Sequence, residues 1–343
     1  MDFCDGAMII GGGAAGLNAA LTLAGLGVGV CLLEKEAQVG GHAGRYACKA
    51  TDACVSCGAC AISRMAEKIR GEKLIRVLTG HRAVGARQEN GGFAVRVEDL
   101  AGQEKTIPAK SLILASGFTP FDPSNMALGY GRFADVITNY ELELMLRREN
   151  EILRPSDGSK PQAIAFIQCI GSRDAKLGHL WCSQVCCPSS LRMARLALAK
   201  NPRQQISFFY IDLQNCPKQI KQADDKNLTL VRAIPADARL GEGGKVLLNW
   251  PDPDTGALQE NGFDLVVLSV GITPSEETRL LISGLEGKDR LLETFGSASG
   301  SVHTAIGGLF MAGCARGPMS IADTIEDAAL AAWEAKKFME QKK

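Results

Sequence analysis

The chain has 343 residues, 38 basic against 38 acidic side chains and 46% hydrophobic residues, enough for a large buried core and, by length, two domains. The balanced charge offers no basic face for nucleic acid or an anionic membrane surface, so neither is expected as a partner. Twelve cysteines, in a chain that opens on the strand-like Ala7-Met8-Ile9-Ile10 without a basic and then apolar leader, lead to a cytoplasmic expectation.

Residues 7–35 read as strand, glycine turn, helix, strand. Gly11-x-Gly13-x-x-Gly16, with Ala15 inside the turn, follows a buried strand and opens a helix, so backbone N–H groups and the helix N-terminus can meet a pyrophosphate. Glu34 ends the second strand, where a carboxylate accepts hydrogen bonds from ribose hydroxyls, and Lys35 follows it. The alternative is a tight turn without ligand. The apolar stretch Ala19 to Leu33 is interrupted by Gly25, Gly27 and Gly29 and continues this pattern, so no direct membrane insertion is expected. Gly40-Gly41-His42 comes next, an arrangement that resembles flavoproteins of the glutathione and thioredoxin reductase type. That resemblance makes FAD the expected dinucleotide, with Gly41 and His42 among its contacts.

Cys48, Cys54, Cys57 and Cys60 stand in the order CKATDACVSCGAC. Cys54-x-x-Cys57-x-x-Cys60 has ferredoxin-like spacing and with Cys48 could hold a second cluster, while Cys57 and Cys60 alone suit a redox dithiol or half a zinc site. A buried or redox-inert set is the favoured reading. Residues 72–118 carry alternating runs, Leu74 to Leu78 and Phe93 to Val97, that suit the small antiparallel layer of such FAD domains, with Val84 against the adenine. Leu112 to Gly117 resembles the reductase strand that ends in a small-residue turn. Residues 123–157 read as a connector with one helical pattern, Tyr140 to Arg148, and the loop 154–159 as a domain boundary.

Ala163 to Ile167 is a new buried strand, where reductases of this type start their nicotinamide-nucleotide domain. No second G-x-G-x-x-G follows it. Cys169-Ile170-Gly171-Ser172-Arg173 stands there instead, and Cys182, Cys186 and Cys187 complete a Cys-x12-Cys-x3-Cys-Cys set. Adjacent cysteines pair badly as a disulfide but can reach different irons of one cubane cluster, which needs four soft ligands on bendable backbone. The alternative is four small apolar core residues. Pro188 heads the amphipathic pattern of Leu191, Met193, Ala194 and Leu198, so the helix is predicted to start at the proline with its positive end toward the cysteines. Ile206 to Ile211 and Phe263 to Val270 read as strands, and residues 241–262 as a surface hairpin. Gly308 to Cys314 resembles the closing strand of the FAD domain, bringing Gly313 and Cys314 to the flavin, with Cys314 where reductases carry an aspartate. The helix from Ser320 to Phe338 would aim the N–H groups of Ser320 and Ile321 at the flavin ring.

Together CIGSRD, WCSQVCCP, YGRFADVITNYELE and GLFMAGCARGPMSIADTI resemble the A subunit of heterodisulfide reductase and its bacterial relatives. The resemblance implies that Cys169, Cys182, Cys186 and Cys187 ligate one 4Fe-4S cluster beside FAD, and that Cys57 and Cys60 match the family's CSAC stretch. It implies iron-sulfur partner subunits of the B and C kind, a homodimer, and the short bacterial form of sulfur oxidisers, with the quinone-interacting complex of sulfate reducers as runner-up. The expected fold is α/β: a Rossmann-type FAD-binding domain of the thioredoxin/glutathione reductase kind with an inserted second α/β domain carrying the iron-sulfur cluster. Its boundaries are 1–122 and 291–343 for the FAD domain, 123–157 for the connector and 158–290 for the insert. The expected function is an oxidoreductase subunit passing electrons between flavin, cluster and partners. Its rivals are an autonomous pyridine-nucleotide disulfide reductase using Cys57 and Cys60, and a non-enzymatic FAD scaffold.

Overall fold

The computed structural model describes residues 6–216, 226–286 and 301–341, and the chain divides into two compact units. The first comprises residues 1–45, 58–119 and 273–343, the second 46–57 and 120–272.

The first unit is built on a parallel sheet of β1 (Ala7–Ile10), β2 (Val30–Glu34), β3 (Ile75–Thr79), β7 (Ser111–Leu114) and β18 (Leu309–Met311). Their order across the sheet is β18-β7-β1-β2-β3. Helices α1 (Ala14–Gly25), α2 (Ala59–Arg70) and α6 (Ile321–Gln341) cover one face. There Ala7 and Ile9 meet Leu17, Leu23 and the alanines 328, 331, 332 and 335. Met8 and Ile10 point to the other face, against Phe93, Val95 and Val97, the two-residue alternation of a strand buried on both sides. That second cover is an antiparallel layer of β4 (His81–Glu89), β5 (Gly92–Asp99) and β6 (Glu104–Ala109). Helix α5 (Glu276–Glu286) packs on β4.

The alternating run at 74–78 suits the antiparallel layer by its pattern, yet β3 pairs parallel with β2. The crossover through α2 explains it, because a connection of that length returns the chain in the same direction. The chain leaves the first unit at the short strand β8 (Phe118–Pro120) and returns to it at β17 (Ile272–Pro274), the strand paired with β8.

The second unit repeats the plan with a parallel sheet of β9 (Val136–Thr138), β10 (Ala163–Ile170), β11 (Gln205–Phe209), β12 (Leu228–Val231) and β16 (Leu265–Val270). These run in the order β12-β11-β10-β16-β9. Helices α3 (Asn139–Glu149) and α4 (Cys186–Lys200) share a core with Ile164 and Phe166 of β10. Ala165 and Ile167 face a core over the antiparallel ribbon of β13 (Ala238–Leu240), β14 (Val246–Pro251) and β15 (Leu258–Phe263).

The unit boundaries differ from the sequence expectation. Residues 123–157 are no connector: β9 is the sheet's edge, and α3 is closed by a Thr138/Glu141 capping box. The loop 154–159 is fastened inside the unit, with Arg154 Nη2 2.7 Å from buried Asp135. Residues 273–286 return to the first unit, since α5 buries Leu281 and Ile282 there.

Candidate functional site

The parallel sheet of the first unit brings the ends of β1, β2, β7 and β18 to one edge, the edge at which such sheets bind ligands. Gly11 leaves β1 at φ +106°, and a Cβ there would lie 2.4 Å from the Ala115 carbonyl oxygen. A Cβ on Gly16 would lie 1.8 Å from the Gly11 oxygen, so α1 presses directly on the turn. Gly13 caps α1 and offers its first N–H groups no side-chain acceptor, which leaves them available to an anion. Glu34 is buried and accepts from the N–H of Gly12 at 2.8 Å and of Glu36 at 2.8 Å. Its carboxylate therefore fixes the turn.

A second glycine segment lies across the first. Gly40 N–H donates to Gly12 O at 2.7 Å, and a Cβ on Gly41, at φ +55°, would come 3.0 Å from Gly13 Cα. His42 Nε2–H donates to Phe118 O at 3.1 Å, and the two rings lie 4.6 Å apart. Burial pushes the imidazole below its ordinary pKa, so it is neutral at pH 7. Gly117, at φ +72°, supplies the small-residue turn after β7.

From the other side Gly313, at φ +65°, approaches Ala15, whose Cβ would stand 2.8 Å from a Cβ added there. Gly313 N–H donates to Asp327 Oδ2 at 2.7 Å, and Asp327 pairs with Arg316. Burial, the largest influence, raises the Asp327 pKa. Cys314 lies 3.7 Å from Met319 O, and burial pushes its thiol up to about 11, so it is no thiolate at neutral pH. Ser320 caps α6 by accepting from Asp323 N–H at 3.1 Å, and Ile321 opens the helix against Gly58.

These contacts bring Gly11, Gly13, Ala15, Gly16, Glu34, Gly41 and Gly313 together, with His42 and Cys314 next in the chain to Gly41 and Gly313; Gly117, Ser320 and Ile321 lie in neighbouring turns of the same unit. The cradle fits FAD at its pyrophosphate end, because each close approach falls where a Cβ would block it. Two other positions stand apart. Lys35 lies 4.0 Å from Glu277, and Val84 sits at the β4 bulge with its carbonyl held by Arg96 at 3.4 Å. Sequence reasoning missed Asp327, whose position fourteen residues after Gly313 carries no motif and is set by how α6 packs.

In the second unit the end of β10 carries the cysteines. Pairing with β16 runs Ile167↔Leu268 and then Ile170↔Val270, so a bulge at Gln168-Cys169 inserts one residue and turns Cys169 to φ +62°. Among the described residues seven non-glycines have positive φ. Three of them, Cys169, Arg173 and Gln184, lie between the end of β10 and α4, and Asn215 lies in the loop after β11, a concentration of strain typical of functional sites.

The base of the 173–181 loop is closed by Arg173 N–H to Trp181 O at 3.0 Å and by the Asp174/His179 bridge. Trp181 Nε1–H donates to Ile272 O at 2.9 Å, and Ser183 Oγ accepts from Ile272 N–H at 2.8 Å. These bonds hold Cys182 between them, and Gln184 N–H reaches its sulfur at 3.3 Å. Helix α4 begins at Cys186 and not at Pro188. A proline is tolerated in a first turn, whose N–H groups have no intrahelical partner, so Cys186 and Cys187 are themselves the helix's opening residues.

Three of these thiols, Cys169, Cys186 and Cys187, are shifted by their surroundings. Cys169 is pushed up to about 11 by burial and then by the charge on Cys187. Cys186 is raised by burial first and then by Cys187, Cys169 and Cys182. Cys187 falls to about 7, chiefly through a hydrogen bond from Cys216. Its charge opposes ionisation of Cys169 and Cys186. Among the described residues no group of three or more His, Cys, Asp or Glu side chains stands at metal-binding spacing. Four soft donors from three segments, with a backbone N–H on one sulfur, nevertheless fit an iron-sulfur cluster chemically.

Segment 46–57 is anchored to this unit by a buried Lys49–Glu143 pair at 2.6 Å. Glu143 also accepts from Ala47 N–H at 3.2 Å and from Ser189 Oγ at 3.4 Å. Cys48 and Cys54 are exposed and Cys57 is half-buried. Cys60 belongs to α2 of the first unit.

Residues 6–150 match the pyridine nucleotide-disulphide oxidoreductase family. The A subunit of the CoB-CoM heterodisulfide,ferredoxin reductase of Methanothermobacter thermautotrophicus is 32% identical over 68% of this chain and 38% of its own length. One of the iron-sulfur A subunits of the CoB-CoM heterodisulfide reductase of Methanopyrus kandleri is 28% identical over 97% of this chain and 64% of its own. The chain thus spans well under half of the first relative. Among solved structures, Lactococcus lactis thioredoxin reductase superposes with a TM-score of 0.68 at 19% identity, covering 98% of this chain and 99% of that one. Thioredoxin reductase of T. acidophilum superposes at 0.64 and 17% identity, covering 98% of each chain. The chain is therefore a homologue of the A subunit of heterodisulfide reductase, built on the FAD-binding Rossmann-type α/β fold of the thioredoxin reductases.

Proposed function

We propose that this chain is a FAD- and 4Fe-4S-carrying electron-transfer protein, the oxidoreductase component of a heterodisulfide-reductase-like complex in cytoplasmic sulfur metabolism. The observation that carries the reading is a substitution of one turn for another. The central strand β1 is followed by a glycine turn and a helix N-terminus, whereas the central strand β10 is followed by a cysteine bulge and a helix that opens on two further cysteines. A pyrophosphate cradle suits the first and soft-metal ligation the second.

When bound, the two groups supply two-electron and one-electron chemistry respectively. The chain's own contribution is position and potential. Gly11, Gly13 and Gly16 hold the pyrophosphate, Glu34 the ribose, and the first turn of α6 the flavin ring. His42 is held neutral and Cys314 protonated, so neither adds charge beside the flavin. Cys169, Cys182, Cys186 and Cys187 are the cluster ligands, with the positive end of α4 favouring the more negative, reduced state. The homologues' names support partner subunits. We take these to be iron-sulfur proteins of the B and C kind, with a homodimer of this chain and a short bacterial form of sulfur oxidisers.

Anaerobic purification with iron, sulfide and flavin analysis tests the reading. One FAD with ~4 iron and ~4 sulfide per chain is expected, the iron and sulfide lost on Cys186→Ala and kept on Cys57→Ala. Loss on Cys57→Ala with retention on Cys186→Ala would overturn the ligand assignment.

A further inference from the structure

A fifth cysteine is brought onto the four by the loop after β11. Asp212 in that loop pairs with Arg173, and its carbonyl lies 3.9 Å from the Cys187 sulfur. Asn215, at φ +51°, donates from Nδ2 to Gln184 O at 3.4 Å. The loop is thus tied to the loop that follows Cys169, to the turn that carries Cys182 and to the start of α4. Held this way, the Cys216 thiol lies 3.3 Å from Gln214 O, in the same short loop whose Asp212 carbonyl meets the Cys187 sulfur. A soft sulfur on a loop fastened to the start of α4 can compete with the helix-start sulfur for one metal position.

We propose that Cys216 is an exchangeable fourth ligand of the cysteine site, taking the coordination position of Cys187 when that sulfur is released or replaced. The inference rests on the reading that the four cysteines hold an iron-sulfur cluster. In the exchange one iron–sulfur bond to Cys187 breaks and one to Cys216 forms, while the Cys216 thiol proton passes to the Cys187 sulfur. No electrons move and no oxidant is needed.

The test uses the full chain purified anaerobically, with iron and sulfide assayed and free thiols alkylated by iodoacetamide and mapped by mass. Cys216→Ala and Cys187→Ala are each expected to keep ~4 iron per chain. The double variant is expected to fall at least ~10-fold, as does Cys186→Ala. Cys216 is expected to be alkylated in the parent and protected in Cys187→Ala. Iron loss in Cys187→Ala as complete as in Cys186→Ala, iron retained in the double variant, or Cys216 alkylated equally in both backgrounds would each overturn the exchange. Retention of iron by Cys186→Ala would instead overturn the cluster reading itself, and the exchange with it. Cys187→Ser, closer in size, replaces Cys187→Ala where flavin content and elution volume report misfolding.

Discussion

Two carboxylates brace the dinucleotide cradle from opposite sides, and only one of them was legible in the sequence. Glu34 follows from its distance after Gly16 and its place at a strand end. Its bond to Gly12 N–H adds a structural duty that the motif alone does not state. Asp327 holds Gly313 from a helix face, where no spacing rule marks it. Gly16→Ala would set a Cβ 1.8 Å from the Gly11 oxygen, so the turn must open. Bound flavin per chain is expected to fall at least ~10-fold, a loss of ~1.4 kcal/mol or more, read by absorbance after gel filtration. At Glu277 burial raises the carboxyl pKa despite Lys35 nearby. A raised carboxyl binds its proton more tightly folded than unfolded, so its contribution to stability is fullest below the unfolded pKa and is lost as pH rises through the folded one. Urea midpoints of Glu277→Gln and the parent should therefore differ more in the variant's favour at pH 7 than at pH 4. An unchanged difference would count against this assignment.

At the scale of elements, periodicity marked strands and helices well where both neighbours were local. It placed α4 two residues late, because Pro188 reads as a first helical residue while the first turn accepts proline at its third position too. It put residues 74–78 in the wrong sheet, because strand pairing depends on the α2 crossover and not on the strand's own pattern. The alanine face joining α1 and α6 was not legible as an interface, since small residues carry little hydrophobic signal. Ala331 is wholly buried there. Ala331→Leu is expected to cost about 1–3 kcal/mol by overpacking, read as a lower denaturant midpoint with an unchanged slope. A variant as stable as the parent would mean that this face has room that the packing does not suggest.

For the molecule as a whole, the fold class and the family were legible, since glycine fingerprints and cysteine spacing are local patterns. The unit boundaries were not. Residues 46–57 belong to the second unit through Lys49, buried on Glu143, a pairing of residues 94 positions apart that no local pattern announces. Lys49→Ala leaves the Glu143 carboxylate buried without its cation and is expected to destabilise the second unit by about 3–5 kcal/mol, measured as faster proteolysis of the loop sites there. The central claim is that one unit cradles a flavin and the other an iron-sulfur cluster. Its most direct test is electron paramagnetic resonance of the anaerobically purified, dithionite-reduced chain, with flavin and iron counted on the same sample. The account predicts one FAD and a reduced-cluster signal that disappears in Cys186→Ala while the flavin stays. A chain that carries flavin alone, without iron, and is bleached rapidly by NADPH would contradict it.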